Sequence, residues 1–257
     1  MMINRSIKVL AGAVLGIGLM TGGALAAGDA KELKSVDWHH SGPFGTYDRA
    51  QVQRGFQVYS EVCAACHSLK YIAYRNLMEI GFSEDQAKAI AAEKDIEDGP
   101  DAAGDMFTRA GRLSDKIPSP FPNDNAAKAS NGGAFPPDLS LIAKARVGGE
   151  NYLYSLLSGY EEDSHGHECP AGTYSNPYFA GGCLKMPSPI ADDLIEYVDG
   201  TPATVDQMSK DVSAFLTWAA EPKMEERKAM GFKVIIFLLI MSGLLYAAKR
   251  RIWARLH

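Results

Sequence analysis

The chain has 257 residues, of which 46% are hydrophobic and 22% are charged. These proportions are typical of a globular protein and exclude a disordered chain. The length allows one sizeable domain with appendages at its ends. The formal net charge of −5 excludes a chain that binds nucleic acid through an overall basic surface.

The N-terminus has the pattern of a secretory signal. Arg5 and Lys8 precede an apolar run rich in glycine and alanine, and residues 24–26 form a small-x-small cleavage pattern. We therefore predict a signal peptide over residues 1–26. A retained transmembrane anchor is the alternative, but the run is shorter than the ~20 residues that span a bilayer. Export would place the mature chain in an oxidising compartment.

An uncharged apolar run over residues 234–248 predicts a transmembrane helix near the C-terminus. Residues 230–232 extend it to spanning length if Lys233 snorkels to the membrane surface. A basic cluster follows at once and places that end in the cytoplasm: Lys249, Arg250, Arg251 and Arg255. We predict an exported domain over 27–230, an anchor over 231–248 and a cytoplasmic tail over 249–257. A buried core helix is the alternative, although such helices seldom end in a cluster of this kind.

Without its two ends the chain is more acidic. The charge of −5 includes two basic residues before residue 27 and four after residue 248, so the part between has a net charge of about −11. Such a charge favours a basic partner over nucleic acid, although each acidic cluster alone is also typical of a solvated surface. The acids form three clusters: Glu93, Asp95, Glu97, Asp98, Asp101 and Asp105; then Glu161, Glu162 and Asp163; then Asp192, Asp193, Glu196 and Asp199.

Helices are the regular structure that the sequence predicts most clearly. One is expected between Tyr47 and the first cysteine, and two others open with capping boxes. Strand signals are weak, so we predict a mainly α-helical domain with long loops. The capping boxes pair Ser83 with Gln86 and Thr204 with Gln207, and Pro222 ends the second helix.

Residues 63–67 read Cys-Ala-Ala-Cys-His, which is the attachment motif of c-type haem. On a helical turn, the thiols of Cys63 and Cys66 can each add to one haem vinyl group. His67 then lies under the iron as the proximal ligand. One motif predicts one covalently attached haem. A thioredoxin-like redox pair and half of a zinc site are the alternatives. The sequence shows neither the strand that precedes a thioredoxin motif nor the second ligand pair that a zinc site has nearby.

An electron-transfer haem needs a second protein ligand so that water and oxygen do not bind the iron. Met186 is the strongest candidate because it lies in a loop stiffened by two prolines, where a side chain is held outside helix or strand. A methionine ligand would also raise the reduction potential. Histidines of the exported part are the alternatives: His39, His40, His165 and His167.

Cys169 and Cys183 remain, and in an oxidising compartment they most simply form a disulfide. The bridge would close a loop that ends three residues before Met186. Two roles stay open for it: holding the methionine loop, or general stabilisation worth about 3 kcal/mol for a loop of this length.

The sequence resembles the cytochrome c1 family, the haem subunits of cytochrome bc complexes, over nearly the whole mature chain. The bridge between Cys169 and Cys183 is a departure from mitochondrial members. The matching stretches are Met186 and residues 54–59, 63–67, 114–115, 131–140, 145–146, 148–152, 155–160, 176–179, 199–204 and 218–222.

The resemblance implies a c-type cytochrome fold with long loop insertions and one C-terminal transmembrane helix. Arg146 and Tyr152 would contact a haem propionate, while Asn131 and Pro137 would line the pocket and Met186 would bind the iron. A guanidinium is a natural partner of a carboxylate, which agrees with the role of Arg146.

The implied function is a relay in quinol:cytochrome c oxidoreductase. The haem would take electrons from the Rieske iron-sulfur protein and pass them to a soluble cytochrome c. The cytochrome b subunit would oxidise the quinol, in a dimeric complex of the bacterial cytoplasmic membrane with the haem domain in the periplasm. A haem sensor or terminal enzyme with an open iron position, and a tethered cytochrome that acts as a free shuttle, are the alternatives.

Overall fold

The computed structural model describes residues 31–161 and 169–255. The predicted signal peptide therefore lies outside the described residues, as do Glu162, Asp163, His165 and His167. Within them the chain is mainly helical, as predicted. The α-helices are α1 (Arg49–Glu61), α2 (Glu84–Ala92), α3 (Asp124–Ser130), α4 (Ile142–Ala145), α5 (Gly149–Leu157), α6 (Val205–Ala220) and α7 (Met224–Trp253), and the 3₁₀ helices are Cys63–Ala65 and Tyr74–Ile80.

The three helices predicted from capping and spacing are confirmed. Asp48 caps α1, accepting hydrogen bonds from two backbone amides of its first turn. Ser83 and Gln86 form the expected reciprocal capping box of α2. Thr204 accepts from the backbone amide of Gln207, and α6 ends two residues before the proline at 222.

Two small antiparallel ribbons add the strands whose signals were weak. β1 (Asp95–Asp98) pairs with β2 (Phe107–Ala110), and β3 (Tyr174–Ser175) pairs with β4 (Cys183–Leu184). The strands have two to four residues, too few to show a clear alternation of apolar and polar side chains.

Helices α1 and α6 cross at the centre of the core. Gly55 permits the close approach, because a Cβ atom at this position would lie 2.0 Å from the backbone oxygen of Asp211. The rings of Phe56 and Tyr59 contact Phe215 with centroids 5.6 and 5.7 Å apart. These side chains are almost fully buried, so the crossing sets the position of the cysteine motif at the end of α1.

Arg54 in α1 links the two crossing helices through an ion pair. Its guanidinium donates to the fully buried carboxylate of Asp211 at 2.9 Å and to Asp199 at 2.9 Å. Gln207 donates to Asp211 as well. The buried carboxylate is therefore paired and hydrogen-bonded, which is the condition under which a buried charge is tolerated.

Helix α7 is longer than the predicted anchor of 231–248 at both ends. It starts at Met224 because this side chain is buried in the domain core and the next residue, Glu225, binds the guanidinium of Arg49 and the amide of Tyr47. Its most apolar 18-residue window has a mean hydropathy of 2.1 and is entirely unburied. By length and composition α7 can cross a membrane, and the domain holds its first turn.

Candidate haem site

The cysteine motif forms a tight turn at the end of α1. Cys63–Ala65 is one turn of 3₁₀ helix, and the backbone amides of Cys66 and His67 donate to the carbonyl of Cys63 at 3.1 and 2.9 Å. The two thiols are not joined to each other. Burial raises the pKa of the Cys63 thiol to about 12. A redox pair of the thioredoxin type needs a lowered thiol pKa and follows a strand, and here a helix precedes the motif.

The imidazole of His67 is oriented by a backbone carbonyl. Its Nδ1 atom lies 2.8 Å from the oxygen of Pro137, which accepts a hydrogen bond when Nδ1 carries the proton. This tautomer leaves the lone pair of Nε2 free to bind a metal. Burial lowers the pKa of His67, although the hydrogen bond to Pro137 opposes the shift. The ring is thus prepared as a neutral ligand.

Asp138 fastens the loop that carries Pro137, a role that the sequence pattern did not single out. Its carboxylate accepts from the hydroxyl of Ser68 at 2.7 Å and from the backbone amides of Lys70 and Ser140 at 3.0 and 2.9 Å. The amide of residue 139 donates to the carbonyl of Ser68. These bonds hold the proline carbonyl against the histidine, 70 positions earlier in the chain.

The Met186 loop is held from two sides. The hydroxyl of Tyr160 donates to the carbonyl of Met186 at 3.1 Å. The ammonium group of Lys185 donates to the carbonyl of Gly132 at 3.1 Å. Just before this loop, a disulfide joins Cys183 in β4 to Cys169. Tyr160 lies in a stretch of the family resemblance, but only the fold shows that it reaches residue 186.

One loop connects the two candidate ligands of the iron. Its end near Pro137 contacts His67, while Gly132 at its start contacts the residue before Met186. Asn131 begins the segment and donates to the carbonyl of Ala127 in α3 at 2.7 Å, which anchors the loop to that helix. The structure thus brings the predicted residues at 67, 131, 137 and 186 to one loop system.

Arg146 and Tyr152 also lie together. Burial raises the pKa of Tyr152, and the guanidinium of Arg146 is close enough to oppose this shift. Burial raises the pKa of Tyr160, whose hydroxyl holds the methionine loop, and the nearby Tyr152 adds to this shift. Within residues 31–161 and 169–255, no carboxylate lies at ion-pair distance from the exposed Arg146. Its guanidinium donates to the carbonyl of Ala145 at 3.1 Å.

His40, one of the histidine alternatives to Met186, lies beside the start of α7. Its ring is 5% exposed and packs between the rings of Trp38 and Tyr47. The carboxylate of Glu150 is 3.7 Å from its Nε2 atom. The backbone carbonyl of His40 accepts a hydrogen bond from Lys228 in α7. His40 is therefore attached to the first turns of this helix.

The residues fit a covalently bound haem. Two unpaired thiols at the required spacing precede His67, whose Nε2 is free. The loop that carries Met186 is hydrogen-bonded to the loop that orients this histidine. A cleft of about 160 Å³ opens beside Cys66, lined by Phe121, Phe135 and Pro136 among others. No group of three or more His, Cys, Asp or Glu side chains in the described part of the chain has the arrangement of a metal site, so a zinc site finds no further ligands there.

Comparison with known proteins gives a consistent result. Residues 38–256 match the model of the Cytochrome C1 family. The chain is 52% identical to cytochrome c1 of Rhodospirillum rubrum, with 95% of each chain covered. It is 50% identical to the "Cytochrome b-c1 complex catalytic subunit, mitochondrial" of Candida albicans, over 85% of this chain and 76% of that one. It is 46% identical to "Cytochrome b/c1" of Bradyrhizobium diazoefficiens, over 95% of this chain and 40% of the longer relative.

Proposed function

The chain belongs to the Cytochrome C1 family, and from this premise we propose that it is the electron-transfer subunit of a quinol:cytochrome c oxidoreductase. Members of the family carry one covalently bound haem c, and this chain contains one attachment motif. Helix α7 provides a membrane anchor. The protein is therefore a membrane-bound c-type cytochrome.

Four side chains would hold the haem in this proposal. Cys63 and Cys66 would form the thioether bonds, and Nε2 of His67 and the sulfur of Met186 would bind the iron. Bound in this way, the haem supplies a one-electron couple between ferric and ferrous iron. The protein keeps both ligands in place, because Pro137 orients the imidazole and Tyr160 holds the methionine loop. Little then has to move when the charge changes.

The polar end of the haem would face Arg146 and Tyr152. A guanidinium without a carboxylate partner among the described residues suits a propionate, with which it can form paired hydrogen bonds. Asn131 and Pro137 would line the pocket between the two iron ligands, since both belong to the loop that contacts them.

The proposed partners follow from the relatives and from charge. The names of two relatives combine cytochrome b and c1 or name a b-c1 complex, which supports a cytochrome b subunit as neighbour. A dimeric complex is proposed from the family resemblance alone. The Rieske iron-sulfur protein is the proposed electron donor. A soluble cytochrome c is the proposed acceptor, because an acidic surface attracts a basic redox partner. No role with nucleic acid is proposed.

The proposed location is the bacterial cytoplasmic membrane with the haem domain in the periplasm. Four basic residues lie near the end of α7 or follow it, at 249, 250, 251 and 255, and such a cluster favours the cytoplasmic side. The domain at the other end of the helix then lies outside. A signal peptide over residues 1–26 would direct this export.

One observation supports the proposal best: His67, which directly follows the second of two unpaired thiols, is hydrogen-bonded to the carbonyl of Pro137. The test is acid-acetone extraction of the purified full-length protein, followed by reduction with quinol in the presence and absence of co-purified cytochrome b and Rieske protein. We expect the haem to stay on the denatured chain and to be reduced only when both subunits are present.

A pair of double variants sharpens this test. Cys63→Ala with Cys66→Ala removes the thioether bonds and should make the haem extractable. Cys169→Ala with Cys183→Ala also removes two cysteines and should leave the haem bound. Extractable haem in the unmodified protein contradicts the site, and reduction by quinol without the other subunits contradicts the function.

A further inference from the structure

A short turn beside the membrane helix exposes an aromatic side chain. Phe44 is 78% exposed, and its ring centroid lies 6.2 Å from that of Phe232 in α7. Its neighbours in the turn are Ser41, Gly42, Pro43 and Gly45, none of them charged. The turn is tight, because a Cβ atom at Gly45 would lie 2.1 Å from the oxygen of Ser41.

The turn is fastened to the helix by one cation. The ammonium group of Lys228 donates to the carbonyls of His40 and Gly45 at 2.7 and 3.0 Å, at the two ends of the turn. The turn and the first turns of α7 therefore form one unit. The aromatic ring keeps a defined height along the helix.

The position of the Phe44 ring along α7 coincides with the expected edge of the membrane. A hydrocarbon core of about 30 Å requires about 20 helical residues, which corresponds to residues 229–248 here. Phe232 then lies about 5 Å inside the edge of the hydrocarbon, at 1.5 Å per residue. Charged residues at 225–228 lie outside the edge. Since the ring of Phe44 contacts that of Phe232, it lies in the interfacial layer.

We propose that the turn at residues 41–45 is a second membrane contact, in which Phe44 inserts into the lipid interface of the leaflet on the haem-domain side. A lone aromatic on an uncharged turn is too small for a protein interface, which needs about 800 Å² on each partner. Its ring contacts that of Phe232, which belongs to the exposed apolar surface of α7. An aromatic side chain at this depth is favourable in lipid.

The consequence is a fixed orientation of the domain. A single helix lets a domain rotate and tilt, whereas a second contact point beside it restricts both motions. Lys228 transmits the restriction, because it joins the turn to the helix.

The test places a nitroxide label on Phe44→Cys in the full-length protein, in the complex in which it is isolated, within phosphatidylcholine vesicles. We expect the ratio of oxygen to nickel-chelate collision rates to be several-fold higher than for Val198→Cys. This control replaces an equally apolar side chain that is 95% exposed. Equal ratios at the two positions mean that the turn is in water and overturn the proposal. Protection from both reagents means that a protein covers the turn and overturns it too.

A second variant tests the attachment. Lys228→Met should increase the mobility of the label at position 44 and leave the label at position 198 unchanged. An unchanged spectrum at position 44 would show that the cation does not hold the turn.

Discussion

Two tyrosines hold the residues proposed as iron ligands in the same way. The hydroxyl of Tyr59 donates to the carbonyl of His67, and the hydroxyl of Tyr160 donates to the carbonyl of Met186, each at 3.1 Å. Both bonds act on the backbone and leave the metal-binding side chain free. Each is worth about 1 kcal/mol by itself, so their effect is to position the loops.

The first prediction concerns Met186→Leu, which removes the thioether and keeps an apolar side chain of similar volume. The reduction potential should fall by more than about 100 mV, within the 0.8 V over which axial ligands set haem potentials. Redox titration of the purified protein measures this. Met106→Leu, at a methionine that is 56% exposed, is the control and should leave the potential unchanged. A normal potential in the first variant would assign the ligand to another residue.

The second prediction concerns pH and Asp115. The hydrogen bond from Arg109 lowers the pKa of Asp115 to about 2. A carboxyl with a lowered pKa stabilises the fold above its unfolded value near 4 and loses this contribution as the pH falls toward 2. Asp115→Asn should therefore reduce the free energy of unfolding at pH 7, with the difference from the unmodified protein shrinking below pH 4.

Urea unfolding at several pH values measures this contribution. Asp37→Asn, at an exposed position, is the control and should follow the unmodified protein throughout. If Asp115→Asn lowers the free energy of unfolding as much at pH 2 as at pH 7, the contribution of Asp115 to stability is not electrostatic.

At the scale of the elements, the crossing of α1 and α6 supports the whole site. The motif residues follow α1 directly, and α6 packs against α1 over the buried rings of Phe56 and Phe215. Any change in the distance between these helices moves the turn that carries the cysteines.

The third prediction is that Gly55→Ala destabilises the domain by about 1–3 kcal/mol, the usual cost of overpacking. The added Cβ atom would lie 2.0 Å from the oxygen of Asp211 and 2.6 Å from the Cβ atom of Phe215. Thermal unfolding followed by circular dichroism measures the loss. Gly231→Ala, in α7 with nothing within 4 Å, adds the same group and should not destabilise the protein. Equal stability of the two variants would show that the crossing can widen at no cost.

The fourth prediction separates the two roles of the disulfide. The bridge holds β4, which ends two residues before Met186. In Cys169→Ala with Cys183→Ala, we expect the methionine bond to weaken, so that carbon monoxide binds the reduced haem. Absorption spectra before and after exposure to carbon monoxide measure this. A variant that unfolds more easily but stays inert to carbon monoxide would limit the bridge to general stabilisation.

At the scale of the whole molecule, charge is divided between the two ends. The part between residues 26 and 249 has a net charge of about −11, whereas the tail is basic. In the structure, some of the acidic side chains already have partners within the chain, which reduces the number that are free to attract another protein. Asp192 accepts from the amide of Val205 at 2.6 Å and so helps to start α6, and Glu161 lies 3.8 Å from Lys31. Asp193 is exposed and close in sequence to the Met186 loop.

The fifth prediction is that electron transfer to a basic cytochrome c slows as salt rises. The range of electrostatic attraction shortens from about 30 Å at 0.01 M salt to about 8 Å at physiological strength. Asp193→Asn should lower the second-order rate at low salt and reduce its salt dependence. Asparagine suits this position because the backbone has a φ of 58°. Stopped-flow kinetics measure the rates.

Glu97→Gln removes the same charge from β1 and is the matched control. It should have a smaller effect, because its strand belongs to a separate ribbon. Rates that do not respond to salt, or a larger effect of the control, would place the docking surface elsewhere.

Local patterns in the sequence were sufficient for much of this protein. The cysteine motif, the capping boxes and the apolar run each depend on residues a few positions apart, and a short segment carries its own preference for a turn, a helix or a membrane. Met186 was singled out in the same way by the two prolines that follow it, at 187 and 189.

Only the tertiary structure decided what the distant residues do. Pro137 contacts His67 across 70 positions, Tyr160 reaches Met186, and Lys228 binds a turn that lies 183 positions earlier. The start of α7 at Met224, seven residues before the predicted anchor, has the same origin, because that side chain is buried by the domain. Such contacts form when helices pack, and packing brings together groups whose pairing leaves no pattern in neighbouring residues.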